Sequence, residues 1–335
     1  MKATEGTTYR MLQSNLGNIT NRLEDLRVQG ATGIKLNKAS DDPSAIRPVL
    51  AARTQIMHNE RYLETMGVTS DKMQATDGHL SHVENILQRV KEITINSLNS
   101  AMSPSDMETF ADQVANMKAE LLDAANAKVD GKYIFSGYAE NTVPFVANPA
   151  YDPLLYDSTN SLTWPYTYEG DPNPTELEIT PGEKLEANLT GNDLFMGISN
   201  SVMQVPPVPG PGYASDVGRI DIFSVLTRTE EAIRAGNFSD PLGAGGGMSA
   251  NIDNLEVAAD QNRRLRSQLG NRAARVESAM GHQEDVNINL RQILSRYEEA
   301  DVIEIYNDII QQENAFKAAL SITSKVSQIS ILDYF

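Results

Sequence analysis

The sequence predicts a mainly α protein: an elongated helical bundle or coiled coil formed by the N- and C-terminal segments, with a small β-rich domain inserted in the middle. Three observations carry that expectation. Apolar residues near both ends recur at alternating spacings of three and four; hydrophobic residues make up 40% of the 335 positions but aromatics only 6%; and 11 of the 15 prolines fall within residues 139–218. The spacing belongs to helices that present one narrow seam to another helix. A core poor in rings suits Leu, Ile, Val, Met and Ala packing between helices, and proline removes the backbone donors that a long helix needs.

From the N-terminus, Tyr9, Leu12, Leu16, Ile19, Leu23 and Leu26 step by 3, 4, 3, 4 and 3, with mainly Gln, Asn, Thr, Arg and Glu between them. Such side chains gain roughly 1.5–3 kcal/mol each on full burial, which drives association. The helix is expected to stop near Gly30, with Ala31 to Asp42 as a loop. A second helix then opens at Pro43, capped by Ser40, Asp41 or Asp42, because a proline at the first helical position loses no hydrogen bond. It is expected to run to about Asn99, with Met66, Met73, Leu80 and Leu87 recurring every seven residues and Val83 and Val90 between them. A third helix follows Pro104, with Ser105 and Glu108 in a capping-box pattern and Met107, Phe110, Val114, Met117 and Leu121 as its stripe. Tyr133-Ile134-Phe135, between Gly131 and Gly137, reads as a strand.

Residues 139–218 hold 11 acidic residues and one basic residue, Lys184, whereas residues 1–50 hold five acidic and seven basic. The middle therefore reads as a solvated, outward-facing surface. Short strands are expected at Leu177 to Thr180 and Leu162 to Tyr168, with Trp164, Tyr151, Tyr156, Tyr166 and Tyr168 forming a small core. Pro206 to Gly212 reads as an extended connector. Helical periodicity returns over Ile220 to Ala235, breaks at Gly243 to Gly247, and resumes from Met248 to about Tyr297. The last segment repeats it with Val302, Ile305, Ile309, Phe316, Leu320 and Val326. The expected organisation is a terminal coiled coil of residues 1–42 with 300–335, a helical rod of 43–138 with 219–299, and the β-rich domain of 139–218. A lone pair of helices buries little, so the ends are expected to order fully only when several copies pack together.

A formal net charge of −17 disfavours nucleic acid and anionic membranes. No cysteine is present, which removes thiolate chemistry and disulfides. No apolar run is long enough for a signal segment or a membrane span, so no membrane insertion is expected. Neither cofactor nor metal is expected. A di-metal bundle site requires Glu-x-x-His, and none of His58, His79, His82 and His282 has that glutamate. His79 and His82 lie one turn apart but read as solvated or packing residues. Gly243 to Gly247 lacks the Lys-Ser/Thr ending and the preceding strand of a phosphate loop. Glu230 with Glu231, and Glu298 with Glu299, are neighbours pointing to different sides of a helix and read as surface charge. Asn188-Leu189-Thr190 is a weak sequon. These readings point away from an enzyme.

Three motifs carry a resemblance: Lys35 to Ala45 (Lys-Leu-Asn-Lys-Ala-Ser-Asp-Asp-Pro-Ser-Ala), Gly131 to Gly137 (Gly-Lys-Tyr-Ile-Phe-Ser-Gly) and Ile329 to Phe335 (Ile-Ser-Ile-Leu-Asp-Tyr-Phe). The chain resembles the flagellin family and, within it, the hook-associated protein 3 family of hook–filament junction proteins. Ser40, Asp41, Asp42 and Pro43, Gly131, Tyr133, Phe135 and Gly137, and Leu332, Asp333 and Tyr334 are the matching positions. Asp41-Asp42-Pro43 and the Leu332-to-Phe335 ending favour the junction group over filament flagellins, which are the close alternative. A coiled-coil adhesin is the alternative of another class. What the resemblance implies is a structural protein of the extracellular flagellum, exported by the flagellar type III apparatus without a cleaved signal peptide. Its implied partners are copies of itself in a ring layer, hook-associated protein 1, flagellin and an export chaperone. The terminal stripes, Tyr9 to Leu26 and Val302 to Val326, are then the implied assembly interface.

Overall fold

The computed structural model describes residues 2–38, 40–98, 102–203, 212–237 and 247–332. The connector at Pro206 to Pro211, the glycines Gly243 to Gly246, and Asp333 and Tyr334 lie outside them. Four long helices dominate: α1 (Lys2–Thr32), α2 (Pro43–Ser97), α7 (Met248–Glu298) and α8 (Val302–Leu332). Between them come α3 (Pro104–Ala125), the short α4 (Gly191–Leu194) and α5 (Asn200–Met203), and α6 (Ile222–Arg234). Among the described residues six short strands make three antiparallel pairs: β1 (Lys128–Val129) with β2 (Lys132–Tyr133), β3 (Phe145–Ala147) with β4 (Tyr166–Tyr168), and β5 (Glu176–Thr180) with β6 (Glu183–Glu186). Among the described residues no helix is long and apolar enough to cross a membrane. The chain falls into two compact units, residues 1–61 with 283–335 and residues 62–282. The boundaries expected at 42/43 and 299/300 lie inside the first unit, and residues 139–218 lie inside the second.

In the first unit α1 and α8 pack along one another. Leu23, Leu26 and Ile305 are buried, and Leu12, Leu16, Ile19, Ile309 and Phe316 are half-buried. The pairing is antiparallel: Arg27 meets Glu313 at 2.9 Å, and Gly30 lies against Ile305 and Ile309. A Cβ at Gly30 would stand 3.3 Å from Ile305 Cγ2 and 3.7 Å from Ile309 Cδ1. Gly30 is therefore a close-approach residue within the helix rather than its end. The helix stops at Thr32, where Gly33 adopts φ 68° and donates its N–H to Gln29 O at 2.8 Å, the left-handed closure that glycine allows without penalty.

In the second unit the seven-residue stripe of α2 is buried as its spacing requires. Met66, Met73, Leu80, Val83, Leu87 and Val90 join Val114 and Leu121 of α3 and Leu255, Leu265, Leu269 and Val276 of α7 in one core. The start of α3 corrects the expected capping box by two residues. The box is Ser103 with Asp106: Asp106 N donates to Ser103 Oγ at 3.2 Å and Ser103 N donates to Asp106 Oδ2 at 3.0 Å. Ser105 and Glu108 cannot form it, because Pro104 already occupies the first helical position and fixes the cap at the residue before. The strand expected at Tyr133-Ile134-Phe135 ends at Tyr133. Asp130 (φ 53°) and Gly131 (φ 78°) make the tight turn between β1 and β2, a two-residue loop that needs left-handed backbone at both positions. The run Leu162 to Tyr168 likewise splits into a 3-10 turn at Ser161–Thr163 and strand β4, with Pro165 between them.

Deleting the Leu26 side chain to alanine should loosen the α1–α8 pairing by about 2–5 kcal/mol. Amide exchange over residues 12–30 is then expected to speed up at least tenfold while residues 62–282 keep their protection. Unchanged exchange in α1 would show that the seam contributes nothing.

Candidate functional site

The first motif is a structural clasp. Asp42 caps α2: its Oδ1 accepts from Ser44 N at 2.9 Å, Ala45 N at 3.2 Å and Ser44 Oγ at 2.6 Å. Those bonds hold its carboxyl below the ordinary value. Asp41 turns the other way, its Oδ2 accepting from Asn37 N at 3.0 Å and Lys38 N at 2.8 Å. Adjacent carboxylates thus close the loop and start the helix, and Pro43 fixes the hand-over. The loop is tied to the α7–α8 turn through Lys35 N to Glu298 O at 2.7 Å and Ala300 N to Gly33 O at 3.0 Å. Arg53 adds an ion pair to Glu298 at 2.8 Å. Ser40 is exposed and holds none of these bonds.

The terminal helices leave apolar surface uncovered. Val302, 58% exposed, and Leu320, 46% exposed, lie off the seam shared by Ile305, Ile309 and Phe316. Val302 instead lines up with Ile303, Tyr306 and Ile310, all exposed, at spacings that share one helix face. That second face was missed in the sequence, although its i, i+4, i+8 spacing stands there to be read. The side chains of Tyr9, Val326 and Leu332 are outside the described ones.

The second motif belongs to the second unit. Phe135 is fully buried, edge-on to Phe195 with ring centroids 5.4 Å apart, and its carbonyl accepts from Tyr168 OH at 2.9 Å and Gly191 N at 2.8 Å. Burial pushes the Tyr168 phenol above its ordinary range. Gly137 has φ 63°, and a Cβ there would fall 2.0 Å from Asp171 O. Gly131 has φ 78° with open space around it. Gly137→Ala should therefore cost about 2–5 kcal/mol, combining left-handed strain with a forced backbone shift. Gly131→Ala should cost only the strain, about 1–2 kcal/mol. Urea midpoints of the two variants separate these values; equal losses would show that the contact with Asp171 is irrelevant.

Asp221 caps α6 from a fully buried position, its Oδ2 accepting from Ser224 N at 2.8 Å. Burial raises its carboxyl to about 7, against the opposing bonds from Ser224 and Phe223. In the unfolded chain it ionises near the ordinary value of 3.8. The stability it contributes is therefore complete below about pH 4 and is lost as pH rises to about 7. Asp221→Asn keeps an oxygen for the Ser224 N–H but cannot ionise. Melting curves should show the parent losing more stability than the variant between pH 4 and 7, by up to about 4 kcal/mol. Parallel curves would refute the assignment.

Of the other candidate groups, His82, Glu230 and Glu231 have partners. His82 Nε2 lies 3.1 Å from Glu120 Oε1, and burial, then the charge of His82, lowers the pKa of His79. Glu230 pairs with Lys118 at 2.6 Å, while Glu231 accepts from Tyr151 OH at 3.0 Å. Among the described residues no three His, Asp or Glu side chains converge as a metal site. The Asn188 amide oxygen accepts from Thr175 N at 2.8 Å.

Residues 6–140 match the bacterial flagellin N-terminal helical region. Flagellar hook-associated protein 3 of Escherichia coli strain K12 is 21% identical over 332 residues, covering 97% of this chain and 98% of that protein. The chain carries the flagellin N-terminal region and is a relative of flagellar hook-associated protein 3. Two solved structures share its fold. A hook-associated protein of Vibrio parahaemolyticus aligns with TM-score 0.59 and 14% identity, over 77% of this chain and 100% of that one. A flagellar junction protein of Legionella pneumophila aligns with TM-score 0.51 and 19% identity, over 68% and 98%.

Proposed function

We propose that the chain is a structural, non-enzymatic axial subunit of the bacterial flagellum that joins the hook to the flagellin filament. The observation that carries this reading is the full-length relationship to hook-associated protein 3, together with terminal helices paired through Leu23, Leu26 and Ile305. In this reading residues 1–42 and 300–335 form an inner coiled coil, residues 43–138 with 219–299 the surrounding helices, and residues 139–218 the outward surface. The exposed face of Val302, Ile303, Tyr306 and Ile310 supports burial against further copies in a ring layer, since contiguous apolar surface marks association sites. Hook-associated protein 1, flagellin and an export chaperone are the proposed partners. The proposed location is extracellular, reached without a cleaved signal peptide.

Deleting the gene in a motile host should leave hooks without filaments and shed flagellin into the medium, as seen by electron microscopy and immunoblotting. Complementation with Leu16→Glu should restore export but not filaments, because a charge on the seam opposes burial. Normal filaments in the deletion strain would overturn the junction role.

A further inference from the structure

In the second unit, beside the first turns of α6, Tyr156, Arg219, Asp221, Arg228, Asn251 and Asn254 line a cleft of about 390 Å³. Arg228 is only 7% exposed, and its guanidinium carbon sits 4.5 Å from the centre of the Tyr156 ring. Among the described residues it forms no ion pair and donates no hydrogen bond. The acidic neighbours are engaged elsewhere. Glu231, one turn along, feels the charge of Arg228 but accepts from Tyr151 OH; Asp221 is turned into the helix cap; and Asp193 pairs with Arg219.

A guanidinium withdrawn from water costs free energy unless its donors are met. Stacking on a phenol recovers only a part of this, about 0.5–2 kcal/mol. The planar fork of Arg228 lines this cleft, in a chain whose net charge is −17. A guanidinium pairs bidentately with an oxyanion, and the planar carboxylate matches its fork in the smallest volume. Asn254 and Ser158, also on the cleft wall, add an amide and a hydroxyl suited to hydroxyl groups. The volume lies near the lower end of small-ligand sites, roughly 300–1,000 Å³.

We propose that this cleft binds a small hydroxylated carboxylate, with the size and chemistry of a sugar acid, held by a forked pair of hydrogen bonds from Arg228. The proposal stands independently of the flagellar role.

Calorimetric titration of the full chain with glucuronate tests it, with glucose and inorganic phosphate as comparisons. Glucuronate should bind with a Kd of about 1 mM or tighter and glucose should not. Arg228→Lys, which keeps the charge but loses the fork, should weaken binding at least tenfold. Arg228→Gln should abolish it, with circular dichroism confirming that both variants fold. No heat with glucuronate up to about 50 mM, equal binding by Arg228→Lys, or phosphate binding more tightly than glucuronate would each overturn the proposal.

Discussion

An apolar stripe that repeats every seven residues on an otherwise polar helix can leave water only against another helix. In the second unit this constraint sets the register of α2, α3 and α7. Side chains at 66, 73, 80 and 87 must find partners at matching heights, and polar contacts between the stripes fix which heights match. Asn262, fully buried, donates to Leu80 O at 3.0 Å, and Gln261 donates to Leu194 O at 2.7 Å while its oxygen accepts from Ile220 N at 3.0 Å. Arg266 forks onto Asp77 at 2.6 and 3.0 Å. A slip of α7 by one turn would strand these buried amides, each at a cost of about 1–3 kcal/mol.

The middle segment depends on the same helices. Its rings pack on one another and also on α6: Phe145 lies 5.2 Å from Phe195 and 5.3 Å from Tyr168, while Phe145, Tyr166 and Phe195 stand 5.0, 4.7 and 5.6 Å from Phe223. Phe223 therefore ties the two-stranded β3–β4 ladder and Phe195 into the core of a helical unit, since so small a ladder cannot stand alone. The hairpin β5–β6 is held further by Arg272 to Glu186 and by Arg275 to Glu183 at 2.6 Å. The acidity of residues 139–218 is thus partly answered by α7 arginines, although it reads in the sequence as pure solvation.

The long helices were legible because periodicity accumulates over many turns: the stripes through Met66 and Leu87 and through Leu12 and Leu26 appear where their spacing places them. Strands of two to four residues carry no such signal. β3 and β6 had no warning in the sequence, since β6 turns only Leu185 inward. The turn residues were more informative than the strands, because Asp130-Gly131 and Gly137 each mark a backbone conformation that few residues adopt. Gly30 misled for the opposite reason, being a packing glycine in the middle of a helical seam. The cleft at Arg228 was not legible at all. Its walls come from the 156–164 loop, the start of α6 and the start of α7, segments far apart in the chain, and its defining feature is the partner that Arg228 lacks among the described residues.

The two units also differ in how completely they satisfy their own apolar surface. Across residues 62–282 the stripe residues of α2, α3 and α7 are almost all withdrawn from water. Among the described side chains of the terminal stripes in the first unit, only Leu23, Leu26 and Ile305 are buried, and Val302, Ile303, Tyr306 and Ile310 stand in solvent. Each such side chain forgoes roughly 1.5–3 kcal/mol of burial free energy. Between Val302 and Gln312 the charged residues are Glu304 and Asp308, one turn apart, and no basic residue stands among them. A surface with that balance is stable in water while diluted and favours association once copies are concentrated, which is the behaviour an assembling subunit requires of its ends and not of its middle.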